Sequence, residues 1–386
     1  MYRNSGLFRP PKAPQAVRRY DQPVSEGKIR HLFPGGNTPQ GFFSYYNYIL
    51  PDADRIFVLK GGPGTGKSTF MRRMAETLRT RGYDTEHHHC SSDNNSLDGI
   101  VIPALKIAFI DGTAPHVVDP KNPGCVDEII HLGDYWDEKK MIVNKKAVID
   151  CNTEISRNFQ RAYRLLRAAK SIYDDWEAVN TAALDHAAAN CKGEQLIAAL
   201  FTGVCDIGVG KVRKLFASAI TPDGPVNYLD SSVWPQKNCY VLMGDPGTGK
   251  STVVQKVMNA AVIRGLDVEA FYCPLDPEKV EHLVIPALGA AVTTSIMPHT
   301  CQAIKNPAMT IDMSECLQPA VLTRYQDIAA YDQEVFWELF VKSIACIKRS
   351  KDLHDELETY YVPNMDFAGI ENRWRQTLDR VLACCR

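Results

Sequence analysis

The sequence predicts an α/β protein made of two tandem copies of one domain, each a mostly parallel sheet followed by a helical arm. Three observations predict it. The chain matches itself at an offset of 183 residues; each copy carries a glycine-rich loop between an apolar run and a helical segment; each copy ends in a long apolar stripe at helical spacing.

The repeat is gapless from Lys28–His116 onto Lys211–His299, and 32 of these 89 positions are identical. KIRHLF matches KVRKLF, FVLKGGPGTGKST matches YVLMGDPGTGKST, RGYDTEHHHCSSD matches RGLDVEAFYCPLD, and VIPAL occurs in both. A one-residue insertion then brings Lys121-Asn122-Pro123 over Lys305-Asn306-Pro307. The two copies are expected to pack on each other.

Composition excludes several classes. At 386 residues, 45% hydrophobic and 23% charged, the chain is globular, with room for two or three domains. Forty-four Lys and Arg balance 45 Asp and Glu, a formal charge of -1. That balance supplies no overall field for nucleic acid or an anionic membrane, although Arg3, Arg9, Lys12, Arg18 and Arg19 make the tail basic. No apolar run approaches the roughly eighteen residues that span a bilayer, and the first twenty residues lack a signal-peptide core, so a cytoplasmic protein is expected. The twelve cysteines are scattered, without a Cys-x-x-Cys, and read as small buried hydrophobes.

Met1 to Gly27 reads as an N-terminal tail. Copy one spans 28–206 with its arm from about 135 to 203; copy two spans 207–386 with its arm from about 320. GVCDIGVG (203–210) reads as the hinge. In the first arm Ile155, Phe159, Ala162, Leu166, Ala169, Tyr173 and Trp176 alternate steps of four and three, the stripe of a helix packed on a partner helix. The second repeats it with Phe336, Phe340, Ile344, Ile347, Leu353 and Leu357, and LLRAAKSIYDDWE resembles CIKRSKDLHDELE. Arg157, Arg161, Arg164 and Arg167 read as the solvated face of the first arm.

The loops carry the chemistry. Gly61-Gly62-Pro63-Gly64-Thr65-Gly66-Lys67-Ser68, followed by Thr69, and Gly244-Asp245-Pro246-Gly247-Thr248-Gly249-Lys250-Ser251, followed by Thr252, both satisfy G-x-x-x-x-G-K-[ST]. Glycines allow the positive φ that turns backbone N–H groups inward as an anion nest, and the following helix adds its positive end. A lysine reaches the β- and γ-phosphates, and a serine hydroxyl reaches Mg²⁺. The apolar runs Ile56–Leu59 and Cys239–Leu242 read as buried strands before each loop, and Gly82 and Gly265 as caps after each helix.

In these motifs the chain resembles the P-loop NTPase superfamily. With FIDGTAPH after the first loop it is similar to bacterial tandem P-loop proteins described as ATPases or nucleotide kinases. The resemblance implies two tandem P-loop domains that bind ATP and Mg²⁺, and it names no substrate.

Such a site needs a carboxylate at the end of a neighbouring strand to hold the magnesium. Ile107–Asp111 fits, with Asp111 as the acid beside Ser68; in copy two the same register ends in Thr294, leaving Ser251 without a matching carboxylate. Copy one is therefore expected to be catalytic, through Lys67, Asp111 and His116, and copy two mainly to bind nucleotide. Asp127 and Asp312, at nearly matching positions, are lesser magnesium candidates. His116 and His299 follow the third strand, where loops face a ligand; Asp93 and Asp276 read equally as acceptor contacts or helix caps. Lys121 and Lys305 read as solvated, and Lys28, Arg30, Lys211 and Arg213 as surface groups. His87-His88-His89-Cys90 alternates along a strand, so its four groups point two ways and do not converge on a metal.

The expected function is an Mg²⁺-dependent ATPase coupled to movement of the arms. The alternatives are a kinase acting on a nucleotide or other small acceptor, and a non-catalytic ATP sensor presenting its arms to a protein partner. Strand order separates kinase-like from motor-like members of the superfamily, by whether the loop strand lies directly beside the Asp111 strand.

Overall fold

The computed structural model describes residues 25–114, 117–204, 208–298, 300 and 304–384. Most of the tail, the middle of the expected hinge, His116 and His299 lie outside the described residues.

The first half contains β1 (Ile29–Leu32), β2 (Gly35–Thr38), β3 (Gly41–Ser44), β4 (Arg55–Lys60), α1 (Lys67–Arg79), β5 (Thr85–His89), β6 (Leu97–Ile102), β7 (Ile107–Asp111) and β8 (Asp127–His131). Its arm is α2 (Glu138–Val143), α3 (Lys145–Ala183) and α4 (His186–Leu200). The second half repeats this as β9 (Val212–Leu215), β10 (Ser218–Thr221), β11 (Gly224–Asn227), α5 (Leu229–Ser232), β12 (Asn238–Met243), α6 (Lys250–Ile263), β13 (Val268–Cys273), β14 (Asp276–Ile285), β15 (Ala290–Ser295) and β16 (Met309–Asp312). Its arm is α7 (Pro319–Tyr361) and α8 (Phe367–Ala383).

Each half forms one six-stranded sheet, β1-β5-β6-β7-β4-β8 and, in the same order of counterparts, β9-β13-β14-β15-β12-β16. Both sheets are mostly parallel, as expected, but each holds one reversed strand and is therefore mixed. β6 and β14 run antiparallel to both neighbours. Chain length explains it. Only Pro103–Lys106 separates β6 from β7, and a parallel connection needs a crossover of a dozen residues or more. The turn closes with Lys106 at φ 53° and its counterpart Gly289 at φ 55°. β4 pairs in parallel with both β7 and β8, so the loop strand lies directly beside the Asp111 strand.

α1 lays Phe70, Met71, Met74, Ala75 and Leu78 on the sheet, chiefly over β6, in one core with Leu97, Ile100, Phe109 and Phe57, the spacing of a single buried helical face. Gly82 and Gly265 follow α1 and α6 at φ 88° and 77°, and each donates its N–H to the last turn, as expected of caps.

α3 and α7 pack as an antiparallel pair along the predicted stripes. The Cys151 thiol donates to the Leu353 carbonyl at one end, and Tyr173 meets Phe336 at the other. The short helices that follow cross over. α4 buries Leu196 and Leu200 with Val253 and Val257 of the second half, while α8 buries Ile370, Trp374 and Val381 with Phe57 and Phe70 of the first. Each crossing is pinned where its last helix starts. Asp185 caps α4 and its N–H donates to the Cys316 carbonyl; Asp366 caps α8 and its N–H donates to the Tyr135 carbonyl. Each half is thus completed by the other half's arm.

The sheets meet at a pseudo-two-fold axis. Phe33 and Phe216, counterparts in the repeat, exchange backbone hydrogen bonds of 3.0 and 3.1 Å. Beside them Arg30 and Arg213, expected at the surface, are instead held in a quartet with Glu86 and Glu269. Arg30 lies 2.9 Å from Glu86 and 2.7 Å from Glu269; Arg213 lies 2.6 and 2.9 Å from the same pair. Burial pushes the Glu86 carboxyl up, but Arg213, His88 and Arg30 outweigh it and hold the group well below the usual carboxylate range.

Candidate functional site

The two glycine-rich loops stand at equivalent places, each between the middle strand of its sheet's parallel trio (β7-β4-β8 or β15-β12-β16) and the helix that packs on the sheet. Positive φ at Gly64 (65°) and Gly66 (81°) bends the first; Gly244 (132°), Gly247 (80°) and Gly249 (86°) bend the second. Thr65 and Thr248 donate their hydroxyls to the carbonyls of Gly62 and Asp245 and brace each turn. Pro63 and Pro246 hold the matching positions.

Each lysine folds back on its loop. Lys67 Nζ donates to the Gly61 and Gly62 carbonyls at 3.0 and 2.9 Å and lies 3.6 Å from Asp111 Oδ2. Lys250 Nζ donates to the Gly244 and Asp245 carbonyls, both at 2.6 Å. Burial lowers the Lys250 ammonium to about 8, with Asp245, Glu281 and Glu177 offsetting only part of the effect. Asp111 ends β7 opposite Leu59, and Thr294 takes the equivalent place opposite Leu242, as the repeat predicts. The Thr113 N–H donates to Asp111 Oδ1 at 2.8 Å. Ser68 Oγ accepts from the Leu97 N–H at 2.9 Å, whereas Ser251 and Thr252 line a cavity of about 770 Å³ above the second loop. Thr69, like Thr252, is exposed.

The arms close over the loops in trans. Asn180 Nδ2 donates to the Pro246 carbonyl at 2.7 Å, and the Glu177 carbonyl lies 2.1 Å from where a Cβ on Gly247 would stand. On the other side the Gly64 N–H donates to Glu358 Oε1 at 3.3 Å, and a Cβ on Gly62 would stand 2.8 Å from the Tyr361 ring. Tyr361 corresponds to Asn180 in the arm repeat, so the bulkier arm residue lies on Gly62 and the smaller one on Pro246 and Gly247. Lys170 lies 3.3 Å from Asp276 across one crossing, and Lys351 lies 3.4 Å from Asp93 across the other. Asp93 caps the turn into β6 through the Asn95 N–H and the Ser96 hydroxyl, rather than a helix.

One acidic position escapes motif reading. Glu281 of β14 lines the cavity above the second loop, on the side where Thr294 replaces the strand-end aspartate. Its counterpart Asp98 is buried and accepts from the Tyr46 hydroxyl at 2.8 Å. The signal was present in the sequence, because this position is acidic in both copies.

Other candidates take structural places. Asp127 accepts from the backbone N–H groups of Lys121 and Asn122 at the start of β8, while Asp312 ends β16 opposite Met243 and caps the next turn through Ser314. They are not equivalents; Asp312 stands where the first half has His131. Lys121 Nζ reaches Asn47, and Lys28 and Lys211 donate their backbone N–H groups to Asp84 and Asp267. His87 and His89 point to one side with His31 and Tyr228, and His88 points to the other beside Glu86, as strand alternation predicts. The second half has Lys214, Ala270 and Tyr272 in place of His31, His87 and His89. The four arm arginines are exposed.

Among the described residues no helix is long and apolar enough to cross a membrane. Comparisons with protein families, curated proteins and solved structures find no match.

Proposed function

We propose that the protein binds ATP with Mg²⁺ at two P-loops and hydrolyses it at the first, coupling turnover to the crossed arms. The observation that carries this reading is the paired placement of each G-x-x-x-x-G-K-S loop between a strand with parallel neighbours on both sides and a helix, with its lysine folded onto the loop. The phosphates take the backbone N–H groups of Gly62–Thr69 and Asp245–Thr252. Lys67 stabilises charge on the transferred phosphoryl group, and Ser68 with Asp111 holds the magnesium. At the second loop Ser251, Thr294 and Glu281 line one cavity without a strand-end aspartate, which suits binding more than turnover. His116 stands in this reading as the residue that orients water.

A kinase acting on a small acceptor is the second reading. It is favoured by the direct pairing of β4 with β7 and by a cavity of about 540 Å³ beside the second loop, where Tyr173, Trp176, Phe336 and Trp337 meet Asp245 and Glu281.

The test compares Lys67→Ala with Lys250→Ala. The first is expected to abolish Mg²⁺-dependent ADP formation while one nucleotide still binds; the second is expected to lose one bound nucleotide and keep most turnover. Equal loss of turnover in both, with equal stoichiometry, contradicts the assignment.

A further inference from the structure

The arm repeat places a glutamate over each loop, Glu177 over the second and Glu358 over the first, and the two are used differently. Glu177 is turned away from its loop to Lys279, 2.6 Å off, and a cavity of about 770 Å³ stays open above Lys250 and Ser251. Among the described residues Glu358, whose ion-pair neighbour is a histidine, His354, has no lysine partner. Its counterpart of Lys279 is Ser96, which already donates to Asp93. The neighbouring arm base, Lys351, is engaged by Asp355 and Asp93. Glu358 therefore reaches the loop itself and accepts from the Gly64 N–H at 3.3 Å, with His354 Nδ1 3.8 Å from the same oxygen. Val362, one turn on, lies 2.8 Å from where a Cβ on Gly64 would stand.

A carboxylate on a loop N–H holds a donor that an incoming phosphate oxygen needs, and its charge repels the triphosphate. We infer that Glu358 is a built-in competitor for the first loop, delivered in trans by α7, so that anion binding there requires the arm carboxylate to leave. The second loop, free of this competitor, is the tighter site. The inference rests on the P-loop reading for the nature of the nucleotide, but not for the competition itself.

The test is a titration of the full-length chain with fluorescent N-methylanthraniloyl-ATP and Mg²⁺, together with a separate calorimetric titration with tripolyphosphate alone. In a Lys250→Ala background, which silences the second loop, Glu358→Ala is expected to tighten binding at the first loop about tenfold, as loss of a charged competitor for one hydrogen bond implies. Glu358→Gln, which keeps the amide oxygen and loses the charge, is expected to fall between. In a Lys67→Ala background Glu177→Ala is expected to leave the second loop within about threefold. Unchanged or weaker binding in both Glu358 variants overturns the inference, as does an equal gain from Glu177→Ala. Should the alanine variant fail to fold, Glu358→Gln decides alone. Tripolyphosphate bound about tenfold tighter by the variant, with no ATP bound by any form, sinks the nucleotide reading and leaves the competition standing.

Discussion

Arg213→Ala is expected to be among the most damaging single changes in the chain, although it touches neither loop. Arg213 donates to both oxygens of Glu86, to Glu269, and to the carbonyls of Tyr48 and Ile49. Its side chain is 19% exposed and that of Glu86 only 4%. The substitution leaves the Glu86 carboxylate with one hydrogen bond from Arg30 and His88 3.4 Å away, and leaves two carbonyls short of a donor. Breaking a buried ion pair at one partner costs about 3–5 kcal/mol, against a total stability of roughly 5–15 kcal/mol. Arg30→Ala is expected to cost less, because Arg30 is 29% exposed and makes one hydrogen bond to Glu86. The assay is urea unfolding followed by tryptophan fluorescence, with Arg213→Met/Glu86→Gln as the control. Removing both charges is expected to recover at least half of the loss, since the penalty lies in the orphaned charge. A cost under about 1 kcal/mol for Arg213→Ala, or a double variant no better than the single, refutes the reasoning.

Two predictions concern pH. Burial lowers His87 to about 3 and His89 to about 4, so both are neutral in the fold while the unfolded chain takes up protons below about 6.5. Their contribution is fully present above that pH and is lost as pH falls toward 4 and then 3, at about 2 kcal/mol per histidine by pH 5. His87→Ala with His89→Tyr, the residues of the second copy, is expected to flatten this acid limb in thermal melts from pH 7 to 5; an unchanged slope contradicts it. At the second loop Lys250, lowered to about 8, must be protonated to meet phosphate, so ATP affinity there is expected to fall as pH rises through 8. Lys250→Arg, always charged, is expected to remove that fall, and a titration in a Lys67→Ala background checks both.

The parts of the fold that carry their own periodicity could be read directly. The loops, their strands, α1 and α6, and the α3–α7 stripe all announce themselves within twenty or thirty residues. β6 does not, because the four-residue turn that reverses the chain after it carries no periodicity of its own. Nor does spacing record which half a helix returns to. Ile370, Trp374 and Val381 suit a groove in either sheet; the crossing depends on the caps at Asp185 and Asp366 and on long-range pairing at Leu184–Leu317 and Trp136–Met365. The charge quartet was nearer to hand. Arg30, Arg213, Glu86 and Glu269 are the same residue types at equivalent strand positions in both copies, and an unpaired charge on a buried strand is costly. They are surface groups only for a copy standing alone, since Arg30 pairs with Glu269 and Arg213 with Glu86 across the copies. Glu177 and Glu358 escape motif reading for the same reason, because their loops belong to the opposite copy.

Calorimetric titration of the full chain with ATP and Mg²⁺ tests the central claim most directly. Two nucleotides per chain are predicted, one lost with Lys250→Ala and the other with Lys67→Ala. Absence of measurable heat or saturation at either loop, in a protein that remains folded, contradicts the account.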